Sequence, residues 1–259
     1  MVVAVANRAS PCQDLAELIQ QSQSTVFFGG AGVSTESGIP DFRSEAGLYA
    51  AQEVYGYRPE ELLSHHLFVQ QPALFFSYYK DNLVAVDAKP NRAHIALGQL
   101  EAISLCQAVI TQNIDGLHQQ AGSQKVIELH GSNWRQYCLE CQTKYDLAFI
   151  LDRANCRNDG VPICQKCQGI VRPDVVLYEE ALDQTVIEAA VDAIETAELM
   201  IVAGTSLAVY PAAGLLEYFR GSNLVLINLS KTAKDSSAQL VINDAVGQVM
   251  TEVRQLIGT

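Results

Sequence analysis

Four cysteines fall into two pairs, Cys138-Leu139-Glu140-Cys141 and Cys164-Gln165-Lys166-Cys167. Two CxxC pairs separated by a module-length insertion are the ligand pattern of a structural tetrahedral zinc ribbon, whose four thiolates leave no open coordination position for catalysis. Cys138, Cys141, Cys164 and Cys167 are therefore expected to hold Zn2+. The other three of the seven, Cys12, Cys106 and Cys156, have no partner at ligand spacing and read as structural or free thiols. Reaction chemistry must come from elsewhere in the chain. The apolar run Ala108-Val109-Ile110-Thr111 ends in Gln112-Asn113-Ile114-Asp115, and Val126-Ile127-Glu128-Leu129 ends in His130-Gly131. Polar residues at the carboxyl ends of buried parallel strands lie where open α/β sheets bind ligands. That repeated placement favours a functional role for Asn113, Asp115 and His130, whereas His94, inside a helical pattern, reads as a packing residue.

A third candidate region opens on Val26-Phe27-Phe28 and breaks into Gly29-Gly30-Ala31-Gly32-Val33-Ser34-Thr35. Glycines suit a turn that needs positive φ or a close ligand, and the amides of such a turn can cradle a phosphate at a helix start. Gly30 and Gly32 supply two glycines of a dinucleotide fingerprint, with Thr35 in the place of the third. A dehydrogenase should also show an acid ending a second strand, and Glu53 ends none. A kinase-type P-loop fails because no Lys-Ser or Lys-Thr comes after the glycines. The chain continues instead into Gly38-Ile39-Pro40-Asp41-Phe42-Arg43, where an acid, an aromatic plate and a guanidinium read as a lid over a bound cofactor.

These residues need a scaffold, and the rest of the chain reads as one. Helical spacing is expected over residues 13–22, 58–83, from Asn91, over 182–197 and over 246–257, and strands at Val26, Ala108, Val126, 174–178, Leu199 and Leu224. Strand and helix alternate, the pattern of a doubly wound α/β fold with a parallel sheet. At 259 residues the chain is long enough for a sizeable core plus an inserted module. It has no membrane-length apolar stretch and no secretory leader, so a cytoplasmic protein without membrane contact is expected. The net charge of −12 argues against direct nucleic-acid binding and suits a basic, lysine-rich protein partner.

Taken in order, Gly30-Ala31-Gly32-Val33-Ser34, Gly38 to Arg43, Thr111 to Asp115, His130-Gly131, the paired CxxC motifs and Gly204-Thr205-Ser206 resemble the sirtuin family of NAD-dependent protein deacylases, in its bacterial zinc-containing type. The likeness covers almost the whole chain. It implies a Rossmann-like NAD-binding domain from residues 1–50, 86–133 and 172–259, with a helical module (51–85) and the zinc ribbon (134–171) forming a smaller domain. It also implies that Gly30, Ala31, Gly32, Thr35, Asp41 and Arg43 hold the NAD phosphates and ribose. Phe42 would shield the reaction centre, and Gln112, Asn113, Ile114 and Asp115 would line the nicotinamide pocket. Gly204, Thr205, Ser206, Asn228 and Leu229 would flank the adenosine half, with Asp244 and Ala245 at adenine. His130, assisted by Asn113, would be the catalytic base, a task that suits an imidazole because its neutral form accepts a proton near pH 7.

The implied reaction consumes NAD: the acyl oxygen of a modified lysine attacks the nicotinamide ribose carbon, nicotinamide leaves, and His130 activates a ribose hydroxyl against the resulting imidate. The products would be free lysine, nicotinamide and O-acetyl-ADP-ribose. The acyl-lysine peptide would lie extended along Val175, Val176, Leu177 and Tyr178. Many relatives carry Phe-Gly-Glu where this chain has Tyr178-Glu179-Glu180. A Tyr-x-x-Arg pair found in succinyl- or malonyl-preferring relatives has no counterpart at Phe76-Ser77-Tyr78-Tyr79, and Tyr55-Gly56-Tyr57-Arg58 reads as a coincidental match, so uncharged acyl groups are expected. Two other readings stay open: mono-ADP-ribosyl transfer or NAD hydrolysis in the same pocket, and a non-catalytic zinc-ribbon scaffold.

Overall fold

The computed structural model describes residues 10–40 and 52–258. Strands β1 (Thr25–Gly29), β2 (Ala108–Thr111) and β3 (Val126–Glu128) build one half of a parallel sheet. The chain then leaves it for β4 (Gly131–Cys138), β5 (Lys144–Asp146) and β6 (Val171–Val175), which form a separate antiparallel sheet in the order β5-β4-β6. Finally β7 (Leu199–Ala203), β8 (Asn223–Ile227) and β9 (Leu240–Ile242) return to the first sheet, whose order is β3-β2-β1-β7-β8-β9. This is the doubly wound arrangement expected from the alternating pattern, with the reversal of strand order between β1 and β7, where ligands bind such sheets.

Both faces of the parallel sheet are covered, which is why its strands read as unbroken apolar runs. On one face Phe27, Val109, Ile201 and Val225 pack with the helices Pro11–Gln21, Arg92–Ala102 and Val246–Ile257. On the other, Val26, Phe28, Met200 and Val202 pack with the helix Gln184–Glu195 and the 3-10 helix Ala212–Tyr218. Helix starts follow local chemistry. The first helix begins at Pro11, earlier than the apolar spacing alone predicts, because the Ser10 side chain accepts from the Gln13 amide and Pro11 fits the first turn.

The expected helical module consists of the segments Pro59–Leu62, His65–Gln70 and Pro72–Asn82. Their Phe75, Phe76 and Tyr79 share one core with Cys138, Cys164 and Val171 of the antiparallel sheet. Each such aromatic contributes roughly 1.5–3 kcal/mol by leaving water. The strand expected at 174–178 lies earlier, at Val171–Val175. Beyond it the Tyr178 amide donates to the Leu63 carbonyl and the His65 amide to the Tyr178 carbonyl, so Val176 to Tyr178 join the sheet to the helical module. Among the described residues no helix is long and apolar enough to cross a membrane.

Candidate active site

His130 sits where the chain passes from one sheet to the other. β3 ends at Glu128, the Leu129 amide still donates to the Thr111 carbonyl, and β4 begins at Gly131. Gly131 has φ +77, and a Cβ there would collide with the Asp174 carbonyl, so only glycine allows this crossover. The His130 ring is fixed by its Nδ1, 2.8 Å from the Gln112 carbonyl oxygen at the end of β2. A carbonyl only accepts, so Nδ1 carries the proton and Nε2 is the basic nitrogen of the neutral ring.

Facing it, Asn113 and Asp115 are held by Ser34. The Asn113 Nδ2 donates to the Gly30 carbonyl at 3.1 Å and to the Ser34 Oγ at 3.0 Å, and Ser34 donates to the Asp115 Oδ2 at 2.7 Å. The Asp115 Oδ1 accepts from the Leu117 amide at 2.9 Å. Burial pushes the Asp115 carboxyl above its ordinary pKa, and these two donors pull against it. Behind Ser34 lies fully buried His94, the packing residue expected, whose Nε2 stands 3.5 Å from the Ser34 hydroxyl. Burial holds its pKa down to about 4, so the ring is neutral.

Several amides of the glycine turn are engaged within the fold. The Gly30 amide donates to the Ala203 carbonyl, the Gly32 amide to Gly204, Val33 to Gly30 and Ser34 to Ala31. Two 3-10 turns, Ala31–Val33 and Thr35–Ser37, take the place of an α-helix. The glycines are needed for close packing of β1 against β7: a Cβ on Gly32 would lie 2.7 Å from the Gly204 Cα. Thr35 turns its hydroxyl back onto the Gly32 carbonyl, so it closes the turn where a dinucleotide fingerprint has its third glycine.

These elements surround a cavity of about 270 Å³, lined among others by Ala31, Gln112, Ile114, Asp115, His130 and Val176. Leu177 and Tyr178 extend its wall. Further along the strand ends, Gln112 Nε2 donates to Thr205 Oγ1 at 3.3 Å, and Asn228 Nδ2 donates to the Thr205 carbonyl at 2.7 Å. Ser206 and Leu229 are exposed beside them, and Asp244 and Ala245 lie at the start of the last helix. The described residues expected to contact NAD thus lie at the carboxyl ends of β1, β2, β3, β7, β8 and β9. An elongated ligand with amide, ribose and phosphate groups suits this donor set. Asp41, Phe42 and Arg43 lie outside the described residues.

At the far end of β4, the sulfurs of Cys138, Cys141, Cys164 and Cys167 lie within 4.8 Å of one another. Four Zn–S bonds of about 2.3 Å in a tetrahedron put sulfurs about 3.8 Å apart, so the four residues fit the metal. Both halves share one turn: Gln142 (φ 56) and Gln168 (φ 65) each come directly after a second cysteine, and their amides return to the carbonyls of Cys138 and Cys164. Cys12 and Cys106 are buried away from this cluster, and burial raises their thiols to about 11 and about 12.

Sequence spacing missed several supporting residues. Ser34 was visible only as part of a motif, and nothing in the local pattern marked Asn133, whose Oδ1 accepts from the buried Tyr79 hydroxyl at 2.6 Å and whose amide donates to the Ile114 carbonyl. Nor was Arg172 marked, a side chain only 6% exposed that pairs with Glu180 at 2.7 Å.

A family model described as the Sir2 family matches residues 30–211. The NAD-dependent protein deacetylase of Clostridium perfringens is 57% identical over 240 residues, covering 92% of this chain and 96% of that protein. Among solved structures, a Sir2 variant with deacetylated p53 peptide and 3'-O-acetyl ADP ribose superposes with a TM-score of 0.86 at 39% identity, covering 94% of this chain and 97% of that one. A Sir2 complex with p53 peptide and NAD+ gives 0.84 at 38% identity, covering 93% and 96%. With the family model spanning most of its length and a relative this similar along nearly all of it, the chain belongs to the Sir2 family.

Proposed function

We propose that this protein is an NAD-dependent protein-lysine deacetylase that yields free lysine, nicotinamide and O-acetyl-ADP-ribose. The observation that carries the reading is the tautomer of His130: its Nδ1 is tied to the Gln112 carbonyl, which makes Nε2 the proton acceptor in a cavity shared with Asp115 and Val176. The names of its relatives and the peptide and NAD+ of the solved Sir2 complexes support the same conclusion.

When bound, NAD supplies an electrophilic ribose carbon with nicotinamide as its leaving group. Gln112, Asn113, Ile114 and Asp115 would line the nicotinamide end. Ala31 and Thr35, with the Gly30 and Gly32 turn and with Asp41 and Arg43, would hold the ribose and phosphates, and Phe42 would shield the reaction centre. Gly204, Thr205, Ser206, Asn228, Leu229, Asp244 and Ala245 would take the adenosine half. His130 Nε2 would accept the proton of a ribose hydroxyl and later return it. The acyl-lysine peptide would run beside Val175, Val176, Leu177 and Tyr178 by strand addition. The zinc held by Cys138, Cys141, Cys164 and Cys167 would be structural. A division into an NAD-binding domain (1–50, 86–133, 172–259) and a small domain (51–85, 134–171) belongs to the same proposal.

The test is mass spectrometry of an acetyl-lysine peptide incubated with the protein and NAD. Loss of the acetyl group together with O-acetyl-ADP-ribose formation is expected. Nicotinamide release with an unchanged peptide would favour NAD hydrolysis, a peptide gaining ADP-ribose would favour ADP-ribosyl transfer, and no turnover would favour a scaffold.

A further inference from the structure

Strand β4 departs from regular pairing beside the cavity. Ser132 faces Asp174 on β6, yet the next residue paired with β6 is Gln136, opposite Pro173, so Asn133, Trp134 and Arg135 bulge away from β6 while Arg135 pairs with Asp146 of β5. Bulges beside active sites re-aim side chains. This one sends two donors on consecutive residues to two consecutive carbonyls: the Asn133 amide to Ile114 at 2.9 Å, and the Trp134 indole Nε1–H to Asp115 at 2.7 Å. Arg135 anchors the bulge on its outer side through Glu128 at 2.6 Å and Asp174 at 2.7 Å.

The indole also covers Gly116. That residue has φ +72, and a Cβ on it would lie 2.6 Å from the Trp134 Nε1, so the glycine and the indole fit only each other. The Asp115–Gly116 peptide plane is thereby fixed. The next plane, Gly116–Leu117, carries the amide that holds the Asp115 Oδ1, so the indole, by gripping one plane and covering Gly116, sets the donor that orients the carboxylate.

We propose that Trp134 is a positioning residue that sets the Asp115 carboxylate for the nicotinamide end of NAD. The inference rests on the deacetylase reading above. It also gives β4 a second task, since the strand runs from beside His130 at one end through Trp134 to the metal ligand Cys138 at the other.

Trp134→Phe keeps a ring over Gly116 and removes only the N–H. Loss of one such hydrogen bond is expected to weaken NAD binding by calorimetry, and nicotinamide inhibition, by about 2- to 10-fold. The KM for peptide and the zinc content should stay at wild-type values, and the melting temperature should fall by no more than a few degrees. Because the role is exercised through Asp115, the same substitution in an Asp115→Asn background should change NAD affinity no further. Equal NAD affinity and nicotinamide inhibition in Trp134→Phe and wild type would overturn the proposal, as would a full additional loss in the double variant. Should Trp134→Phe not fold, the wild-type protein decides, because Trp134 is its single tryptophan. Its emission should then shift saturably as NAD is added, and an unresponsive emission would overturn the assignment. A wild-type protein that releases no nicotinamide from NAD and acetyl peptide defeats the deacetylase reading itself. An active wild type indistinguishable from its Phe variant defeats only the role of Trp134.

Discussion

The Nδ1 of His130 lies 2.8 Å from the carbonyl oxygen of Gln112, so a main-chain acceptor on one strand decides which nitrogen of a side chain after the next strand is basic. Because the partner is backbone, no substitution at position 112 removes it, and the ring keeps its tautomer through side-chain changes nearby. Replacing His130 with Ala should lower kcat for deacetylation by about 10²–10⁴-fold, the usual contribution of a positioned base. NAD affinity measured by calorimetry should change far less. A variant that retained half of wild-type turnover would remove His130 from the mechanism.

The zinc cluster should behave as part of the fold. Cys138 and Cys164 are buried in the core that holds Phe75, Phe76 and Tyr79, so loss of the metal leaves thiolates facing apolar surface. Cys164→Ser should therefore lose zinc, measured by elemental analysis, and melt several degrees lower, with activity falling in proportion to folded protein. Full zinc retention would contradict the four-thiolate assignment.

How much of this was legible in the sequence differs by kind of signal. The parallel sheet was, because its strands are buried on both faces and leave continuous apolar runs such as Leu199 to Ala203. The CxxC pairs were, because tetrahedral ligation fixes their spacing. The packing role of the glycines was not: the small size of Gly32 serves the approach of Gly204, a partner far away in the chain. The bulge at Asn133 to Arg135 was equally hidden, since it exists only in the mismatch between two strands whose register is set by tertiary contacts. A charged pair such as Arg172 with Glu180, made eight residues apart where the chain leaves β6, leaves no periodic trace.

That pair predicts an acid sensitivity. Burial by itself pushes the Glu180 carboxyl up, but two contacts from Arg172, the Leu177 amide and His65 outweigh it and bring it from 4.5 to about 2. A folded pKa below the ordinary value means that the stabilisation is complete above about pH 4.5 and is lost as pH falls through about 2. The amount is on the order of 3 kcal/mol, since each unit is worth about 1.36 kcal/mol. Urea midpoints should fall across that window. Glu180→Gln should be less stable by roughly 3–5 kcal/mol near neutral pH, having left the Arg172 guanidinium buried without its counter-charge, and should flatten the acid limb. An unchanged limb in the variant would assign the acid transition to other carboxyls.

Acyl choice depends on the charge around the cavity. The described residues that line it include Glu60, Asp115, Glu179 and Glu180, and among them there is no Lys or Arg. Phe76 and Tyr79, on the helix where relatives that prefer acidic acyl groups carry their anchor, are buried in the core of the small sheet and helices. The matching motif earlier in the chain is engaged elsewhere: Tyr55 donates to Asp81 at 3.2 Å, and exposed Arg58 pairs with Glu61 at 3.5 Å. A succinyl carboxylate would therefore meet Glu60, Asp115 and Glu179, since Arg172 already balances Glu180, with no lining cation among the described residues to offset them. Even one such contact weakened by solvent to about 1.4 kcal/mol makes a factor of 10. Succinyl-lysine peptide should accordingly be turned over with kcat/KM at least about 10-fold below the acetyl form of the same sequence, while propionyl-lysine, which adds bulk without charge, should stay within that factor. Added salt should narrow the acetyl-to-succinyl gap, because screening weakens repulsion and leaves steric exclusion untouched. Faster desuccinylation would mean that a cation outside the described residues anchors the acyl group.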